Sequence, residues 1–343
     1  MVKSFRLFLL MKFNKNELGV EAERLHDKLR YVGFGRGYCE VIAPLTLEIN
    51  KLKKEKGAIV LAHSYQTPDI IYGVADFVGD SYGLSKKASD SDAGVIVFCG
   101  VKFMAETAKI LSPNKVVLLP DVNAGCSLAD SITAEDVIRL KRENPGVPVV
   151  VYVNTSAVVK AEADVCCTSS NALKIIEGIP GNEVIFLPDQ LMAKNLQSLT
   201  SKKIISWPGK CIVHDEFDAK TIEKLRARYE GLKVMSHLEC SPAVLEVSDM
   251  SGGTADMIKY VSEVEAPAYL LVTECGLSDR MRVEKPEKNF VGACGLCPYM
   301  KMIDLPSVLQ VLSGAEDEQI VEIPLEISKG ALKSLNKMFE LTE

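Results

Sequence analysis

Short, wholly apolar runs alternate with longer amphipathic stretches along most of this chain. Runs of that kind read as strands buried on both faces, the signature of parallel sheets covered by helices. The strongest occur at 58–63, 148–154 and 232–237. Each closes on polar residues. His63, Tyr152 and His237 stand at or near the ends of these runs, at intervals of 89 (63 to 152) and 85 (152 to 237) residues. A second apolar run follows in each segment, at 94–98, 163–167 and 268–273. A third is clear in the first two segments, where Val116 and Val184 open runs that close on Leu-Pro-Asp, at Asp121 and Asp189. In the last segment 289–292 is only a weak counterpart.

A period near 86 residues is too long for a solenoid repeat. It fits an α/β fold of three α/β/α sandwich domains related by approximate threefold symmetry, here expected around a central iron–sulfur cluster. The boundaries expected are 50–128, 129–212 and 213–298. A helical segment at 1–49 packs on this body, and a helical tail covers 299–343. In open α/β sheets ligands sit beyond the carboxyl ends of the strands. Three such ends facing one point would make one shared site.

The chain has 343 residues, enough for two or three domains, and a net charge of −6. That balance argues against a broad basic surface for nucleic acid. No run is long enough to span a bilayer. The apolar patch within the first ten residues lacks a signal-peptide cleavage pattern, and Met11 reads as a more natural start. Ten cysteines with no secretory leader point to a reducing cytosol, where thiols serve metals, redox chemistry or small buried gaps.

Three of those cysteines share the period: Cys126, Cys211 and Cys297 stand 85 (126 to 211) and 86 (211 to 297) residues apart. Three thiolates are one short of the four that saturate a [4Fe–4S] cluster, which would leave one iron open as a Lewis acid. Cys294 and Cys297 form a CxxC, readable as half a zinc site, a redox pair or a cluster ligand with a spare thiol at Cys294 that can pair with a neighbour. Cys99, Cys166, Cys167, Cys240 and Cys275 lie in or beside apolar strands and read as small buried hydrophobes.

Of four histidines, His63, His214 and His237 follow strands or flank a candidate ligand, and imidazole is the group best poised for proton transfer near neutral pH. Ser81, Ser169 and Thr254 recur at 88 (81 to 169) and 85 (169 to 254) residues in turns that open helices. Any one of them is explained by N-capping. Three on a common period point to an anion site at helix N-termini. Tyr65, Asn154 and Glu239 each lie two residues beyond a strand-end polar residue, on the same face if the strand continues.

These residues resemble the quinolinate synthase family. The matching stretches are Ala62-His63-Ser64-Tyr65-Gln66, Gly79-Asp80-Ser81, the run from Phe103 to Leu111, the run from Val151 to Ser156, Cys167-Thr168-Ser169-Ser170 and Leu187-Pro188-Asp189. Cys211-Ile212-Val213-His214, His237-Leu238-Glu239-Cys240 and Cys297-Pro298-Tyr299-Met300 complete them. Two small departures, Ser64 and Leu238, remove no functional group. The resemblance implies condensation of iminoaspartate, supplied by an L-aspartate oxidase, with dihydroxyacetone phosphate. Phosphate and two waters leave as the pyridine ring of quinolinate closes. It implies a [4Fe–4S] cluster on Cys126, Cys211 and Cys297, with Met104 packed beside it. His63, Tyr65, His237 and Glu239 are then the acid–base candidates. Ser81, Tyr152, Asn154, Ser169, His214 and Thr254, with His63, His237 and Glu239, are the substrate contacts. The localisation implied is cytoplasmic. The rivals are another [4Fe–4S] hydro-lyase, a non-catalytic iron or redox sensor, and a zinc-bound structural module.

Overall fold

The computed structural model describes residues 12–342; the apolar start at 1–10 and the question of Met1 or Met11 lie outside the described residues. Two helices come first, α1 (Lys15–Leu29) and α2 (Arg36–Lys56). The first sheet is built from β1 (Ala58–His63), α3 (Pro68–Gly73), β2 (Phe77–Gly79), α4 (Ser81–Asp90), β3 (Val95–Cys99), α5 (Lys102–Leu111) and β4 (Val116–Leu118). After α6 (Ala134–Glu143) come β5 (Val149–Tyr152), α7 (Ala157–Ala161), β6 (Val165–Cys167), α8 (Ala172–Gly178), β7 (Glu183–Leu187), α9 (Gln190–Gln197) and β8 (Lys203–Ser206). After α10 (Ala219–Arg228) come β9 (Leu232–His237), α11 (Pro242–Glu246), β10 (Met250–Gly252), α12 (Thr254–Glu263), β11 (Ala268–Val272) and α13 (Cys275–Glu284). The helices α14 (Leu305–Gly314) and α15 (Leu325–Thr342) follow.

This is an α/β fold with three parallel sheets. Their strand orders are β2-β1-β3-β4, β6-β5-β7-β8 and β10-β9-β11. The strands are short and rich in β-branched residues because both faces are covered. Val149, Val150 and Val151 are all buried, as are Leu61, Ile96 and Phe98. Each large apolar side chain so buried contributes about 1.5–3 kcal/mol. The helix α14 packs on α2 and β3, and α15 packs on α7 and β6, so the last helices seal two of the sheets.

The pairing corrects the alignment of apolar runs made from sequence. The run at 163–167 does not take the place of 94–98. It forms β6, the edge strand beside β5, as β2 stands beside β1 and β10 beside β9. The counterparts of β3 are β7 and β11. The two Leu-Pro-Asp motifs therefore follow different strands, β4 and β7. The weak run at 289–292 makes only a single bridge, Phe290 with Tyr269.

A repeat missed in the sequence explains the edge strands. Asp76, Asp164 and Asp249 each precede one of them. Each carboxylate accepts the N–H of a central-strand residue, Val60 at 2.7 Å, Val149 at 2.7 Å and Val234 at 2.8 Å. Each Asp N–H returns to the carbonyl of that same residue, at 2.9, 3.0 and 2.8 Å. A two-way bracket of this kind can hold three-residue edges that apolar content alone would not mark.

Candidate active site

Each central strand of the three sheets ends in a polar residue at the wall of one cleft, which holds about 750 Å³ of empty space counting its mouth open to solvent. His63 ends β1, Tyr152 ends β5 and His237 ends β9. The cleft wall also holds Tyr65, Ser81, Asn154, Ser169, His214, Glu239, Thr254 and all three periodic cysteines. Every site residue expected from sequence thus lines this one cavity.

Two of the strand ends turn in the same way. The N–H of Tyr65 donates to Nδ1 of His63 at 3.2 Å, and the N–H of Glu239 donates to Nδ1 of His237 at 3.3 Å. With Nδ1 accepting, a neutral ring carries its proton on Nε2. Burial, then the Lys301 charge, pushes His63 down to about 3; burial pushes His237 down to about 4. Both rings are neutral donors at physiological pH.

His63 thereby ties stability to acidity. Between about 3 and the ordinary value of 6.5 the unfolded chain binds a proton that the folded protein refuses. Stability from this group is complete above about 6.5 and falls as pH drops through that window. His63→Gln is expected to flatten the decline in melting temperature between about pH 7 and pH 5. An unchanged slope would remove His63 from the account.

A continuous hydrogen-bond chain crosses the cleft. Tyr152 Oη donates to Glu239 Oε1 at 2.7 Å, and His214 Nδ1 lies 2.9 Å from Glu239 Oε2. His214 Nε2 lies 2.9 Å from the Thr273 hydroxyl. That hydroxyl is 2.7 Å from the Tyr65 hydroxyl, which is 3.1 Å from Thr254 Oγ1. His214 also stacks on His237, with ring centroids 4.5 Å apart. Burial pushes Glu239 up, but His237, His214 and the Tyr152 hydroxyl outweigh it and hold the group as a carboxylate. Burial raises both phenols, Tyr152 further through Glu239 beside it.

The hydroxyl turns bring anion-binding potential. Ser81 and Thr254 are the first residues of α4 and α12, where carboxylates already cap part of each helix start: Asp80 accepts from the Gly83 N–H at 2.8 Å and Asp256 from the Gly253 N–H at 2.8 Å. Ser169 lies in the turn before α8 and faces Gly253, where an added Cβ would sit 2.6 Å from its hydroxyl. Asn154 presents a buried Oδ1 with no partner to the cleft it lines.

The expected metal centre is corrected by the structure. Among the described residues, the side-chain donors that converge within 4.8 Å are Cys211, His214 and Glu239. That is one thiol, one imidazole and one carboxylate, where three cysteines holding a [4Fe–4S] cluster had been expected. Cys126 and Cys297 line the same cleft but stand outside the converging set. The reason is local: the Cys211–His214 turn aims Sγ and Nδ1 the same way, 3.3 Å apart, and Glu239 reaches down from the end of β9 to meet them. The thiols of Cys126, Cys211 and Cys297 are all raised by burial, Cys126 to about 12. A mixed donor set of this kind suits a borderline divalent ion and leaves a coordination position open.

Several residues at the site escaped the sequence reading. Glu274 is fully buried and caps α13. It accepts from the Cys297 N–H at 3.2 Å, from Lys301 Nζ at 3.0 Å and from the Gly276 N–H at 2.6 Å. Lys301 also donates to the Tyr65 carbonyl. This pair fastens the Cys297 loop to the Tyr65 turn. Thr273 directly follows β11, where a polar residue after an apolar run was the available signal. Cys275, expected as a small buried hydrophobe, is instead joined to Cys294 in a disulfide. Among the described residues no helix is long and apolar enough to cross a membrane.

Comparison with known proteins completes the description of the site. The family described as quinolinate synthetase A protein matches residues 47–340. A quinolinate synthase of Caulobacter vibrioides is 46% identical over 305 residues, covering 88% of this chain and 83% of the relative. Quinolinate synthase 1 of Mesorhizobium japonicum is 48% identical over 314 residues, covering 92% and 96%. A quinolinate synthase of Sinorhizobium fredii is 49% identical over 280 residues, covering 82% and 78%.

Proposed function

Because this chain belongs to the quinolinate synthase family and is an enzyme of that condensing and dehydrating class, we propose that it joins iminoaspartate to dihydroxyacetone phosphate to form quinolinate. One inorganic phosphate and two waters leave. The observation that carries this reading is the convergence of His63, Tyr152 and His237, each ending the central strand of its own sheet, on one cleft with a carboxylate at its heart. A substrate pair bearing two carboxylates and a phosphate needs polar groups from several sides, and this cleft draws them from all three sheets.

The residues divide the work by their geometry. The hydroxyls of Ser81 and Ser169, with Thr254 at the start of α12, receive carboxylate and phosphate oxygens. The Nε2–H groups of His63 and His237 orient carbonyl and carboxylate oxygens, and the unpartnered Asn154 Oδ1 accepts from a substrate N–H or hydroxyl. Glu239, held as a carboxylate beside His214, takes the carbon-bound proton whose loss accompanies each dehydration. Tyr65 delivers a proton to the departing hydroxyl through its phenol. A cation on Cys211, His214 and Glu239 would polarise a substrate oxygen when bound. The three sheets wound in like order support reading 50–128, 129–212 and 213–298 as three equivalent domains around this cleft, with 1–49 and 299–343 as helical additions. Iminoaspartate hydrolyses readily, so an oxidase of L-aspartate must supply it nearby.

The test is product formation by protein isolated without air, with metal content recorded. Quinolinate should appear only when both substrates are present. Turnover without the three-carbon phosphate would favour a hydro-lyase. No product with either combination would sink the assignment.

A further inference from the structure

We propose that Asn195 is a positioning residue for the reaction, one of three polar clamps through which each sheet holds the active-site turn of the next. The inference rests on the role proposed above for Glu239. Helices α5, α9 and α13 follow the equivalent strands β3, β7 and β11. Helix α5 packs on α7, α9 on α11 and α13 on α3. Each therefore meets the short helix that follows the central strand of another sheet, first to second, second to third and third to first. One polar side chain crosses each junction. Glu106 on α5 accepts the N–H of Ala157, the first residue of α7, at 2.8 Å. Asn195 on α9 donates through Nδ2 to the carbonyls of Leu238 and Cys240, both at 2.8 Å. Arg280 on α13 donates to the Ser64 hydroxyl at 2.8 Å. Glu106, Asn195 and Arg280 stand 89 (106 to 195) and 85 (195 to 280) residues apart, the same two intervals that separate His63, Tyr152 and His237.

The clamps land beside the groups of the cleft. Ser64 stands between His63 and Tyr65, Leu238 and Cys240 flank Glu239, and Ala157 lies three residues past Asn154. Each clamp has the chemistry its target needs: a carboxylate for an N–H, an amide for two carbonyls, a guanidinium for a hydroxyl. Asn195 is buried, and Leu191, Met192 and Leu196 beside it on α9 are buried and apolar. An apolar residue would pack one helix on another there without a polar group to satisfy. The amide at 195 is explained by the two carbonyls on either side of Glu239. Glu239 meets Tyr152 at 2.7 Å through one oxygen and His214 Nδ1 at 2.9 Å through the other. Its backbone belongs to the turn from 238 to 240, and Asn195 grips that turn at both ends. The grip comes from the sheet that also carries Tyr152, so the carboxylate and its phenol partner are set from one side.

The test compares wild type, Asn195→Asp and Asn195→Ala with Ser334→Ala, which removes a buried hydroxyl bonded to the Lys160 carbonyl and outside the cleft wall. Each is read by kcat, KM, thermal melting and hydrogen exchange over residues 235–243. Asn195→Asp keeps the volume but sets an acceptor against two carbonyls. It should lower kcat about tenfold to a hundredfold with KM within about threefold, the scale expected when a reacting group is displaced by about 1 Å. Asn195→Ala should fall in the same range. Exchange over 235–243 should quicken at least about tenfold in both and stay within about twofold of wild type in Ser334→Ala. The double variant Asn195→Ala with Glu239→Gln should be no slower than Glu239→Gln alone, because a residue that acts through Glu239 has nothing left to act on. Asn195→Asp at wild-type turnover would overturn the proposal. So would additive losses in the double variant, or exchange that quickens as much in Ser334→Ala. The exchange comparison needs no substrate, so a wild type that makes no quinolinate strikes the functional reading while the clamp is still judged. If neither Asn195 variant folds, Arg280→Met, which frees Ser64, is read in the same way over residues 61–67, with Tyr65→Phe as the second substitution.

Discussion

Glu239→Gln is expected to lower turnover by about a thousandfold while leaving the fold intact. Glutamine matches glutamate in volume, so the cleft stays filled. What changes is charge and acceptor capacity. Glu239 accepts from Tyr152 at 2.7 Å through one oxygen and faces His214 Nδ1 at 2.9 Å through the other. An amide offers one acceptor and one donor. Whichever way it turns, Tyr152 or His214 loses an acceptor in a place where burial makes that costly. The general base is lost at the same step. Because Glu239 is one of three converging donors, metal bound by the purified variant should fall as well. Steady-state kinetics and elemental analysis on one preparation check both. Turnover within tenfold of wild type would remove Glu239 from proton transfer.

Gly276→Ala is expected to cost about 2 kcal/mol of stability and to impair turnover with it. Gly276 is the second residue of α13. A Cβ there would stand 2.8 Å from the Cα, the carbonyl carbon and the carbonyl oxygen of Tyr65. Backbone cannot move aside as a flexible side chain can, so either α13 or the Tyr65 turn must shift. The Gly276 N–H is also tied at 2.6 Å to Glu274, which holds Lys301 and the Cys297 loop. A shift therefore spreads into three walls of the cleft. The melting temperature should fall by several degrees, and kcat should fall through displacement of the Tyr65 phenol from Thr273. A variant with wild-type melting would show that the contact is easily relieved.

Much of the site was legible because the signals were local. A polar residue closing an apolar run is a strand end in an α/β fold, and His63, Tyr152 and His237 were found that way. Ser81 and Thr254 were found because small hydroxyl residues mark helix starts. The metal donors were misjudged for the opposite reason. Even spacing of Cys126, Cys211 and Cys297 speaks of equivalent chain positions. It says nothing of which atoms lie within reach of each other. His214 and Glu239, 25 residues apart, prove nearer to Cys211 than the periodic argument allowed. Thr273 was read only as the last residue of a run, since nothing local distinguishes a hydroxyl bonded to backbone from one bonded across the molecule.

By itself the sequence determined that the chain forms short buried strands alternating with helices, and which polar residues terminate them. Those properties follow from composition over a few residues, where burial and periodicity act. Tertiary structure alone decided that 163–167 is an edge strand, that Cys275 meets Cys294, and that Thr273 joins Tyr65 to His214 across 208 and 59 residues. Such contacts depend on the packing of whole sheets and on the closure of long loops. Short segments with similar apolar content do not say which neighbour each will find.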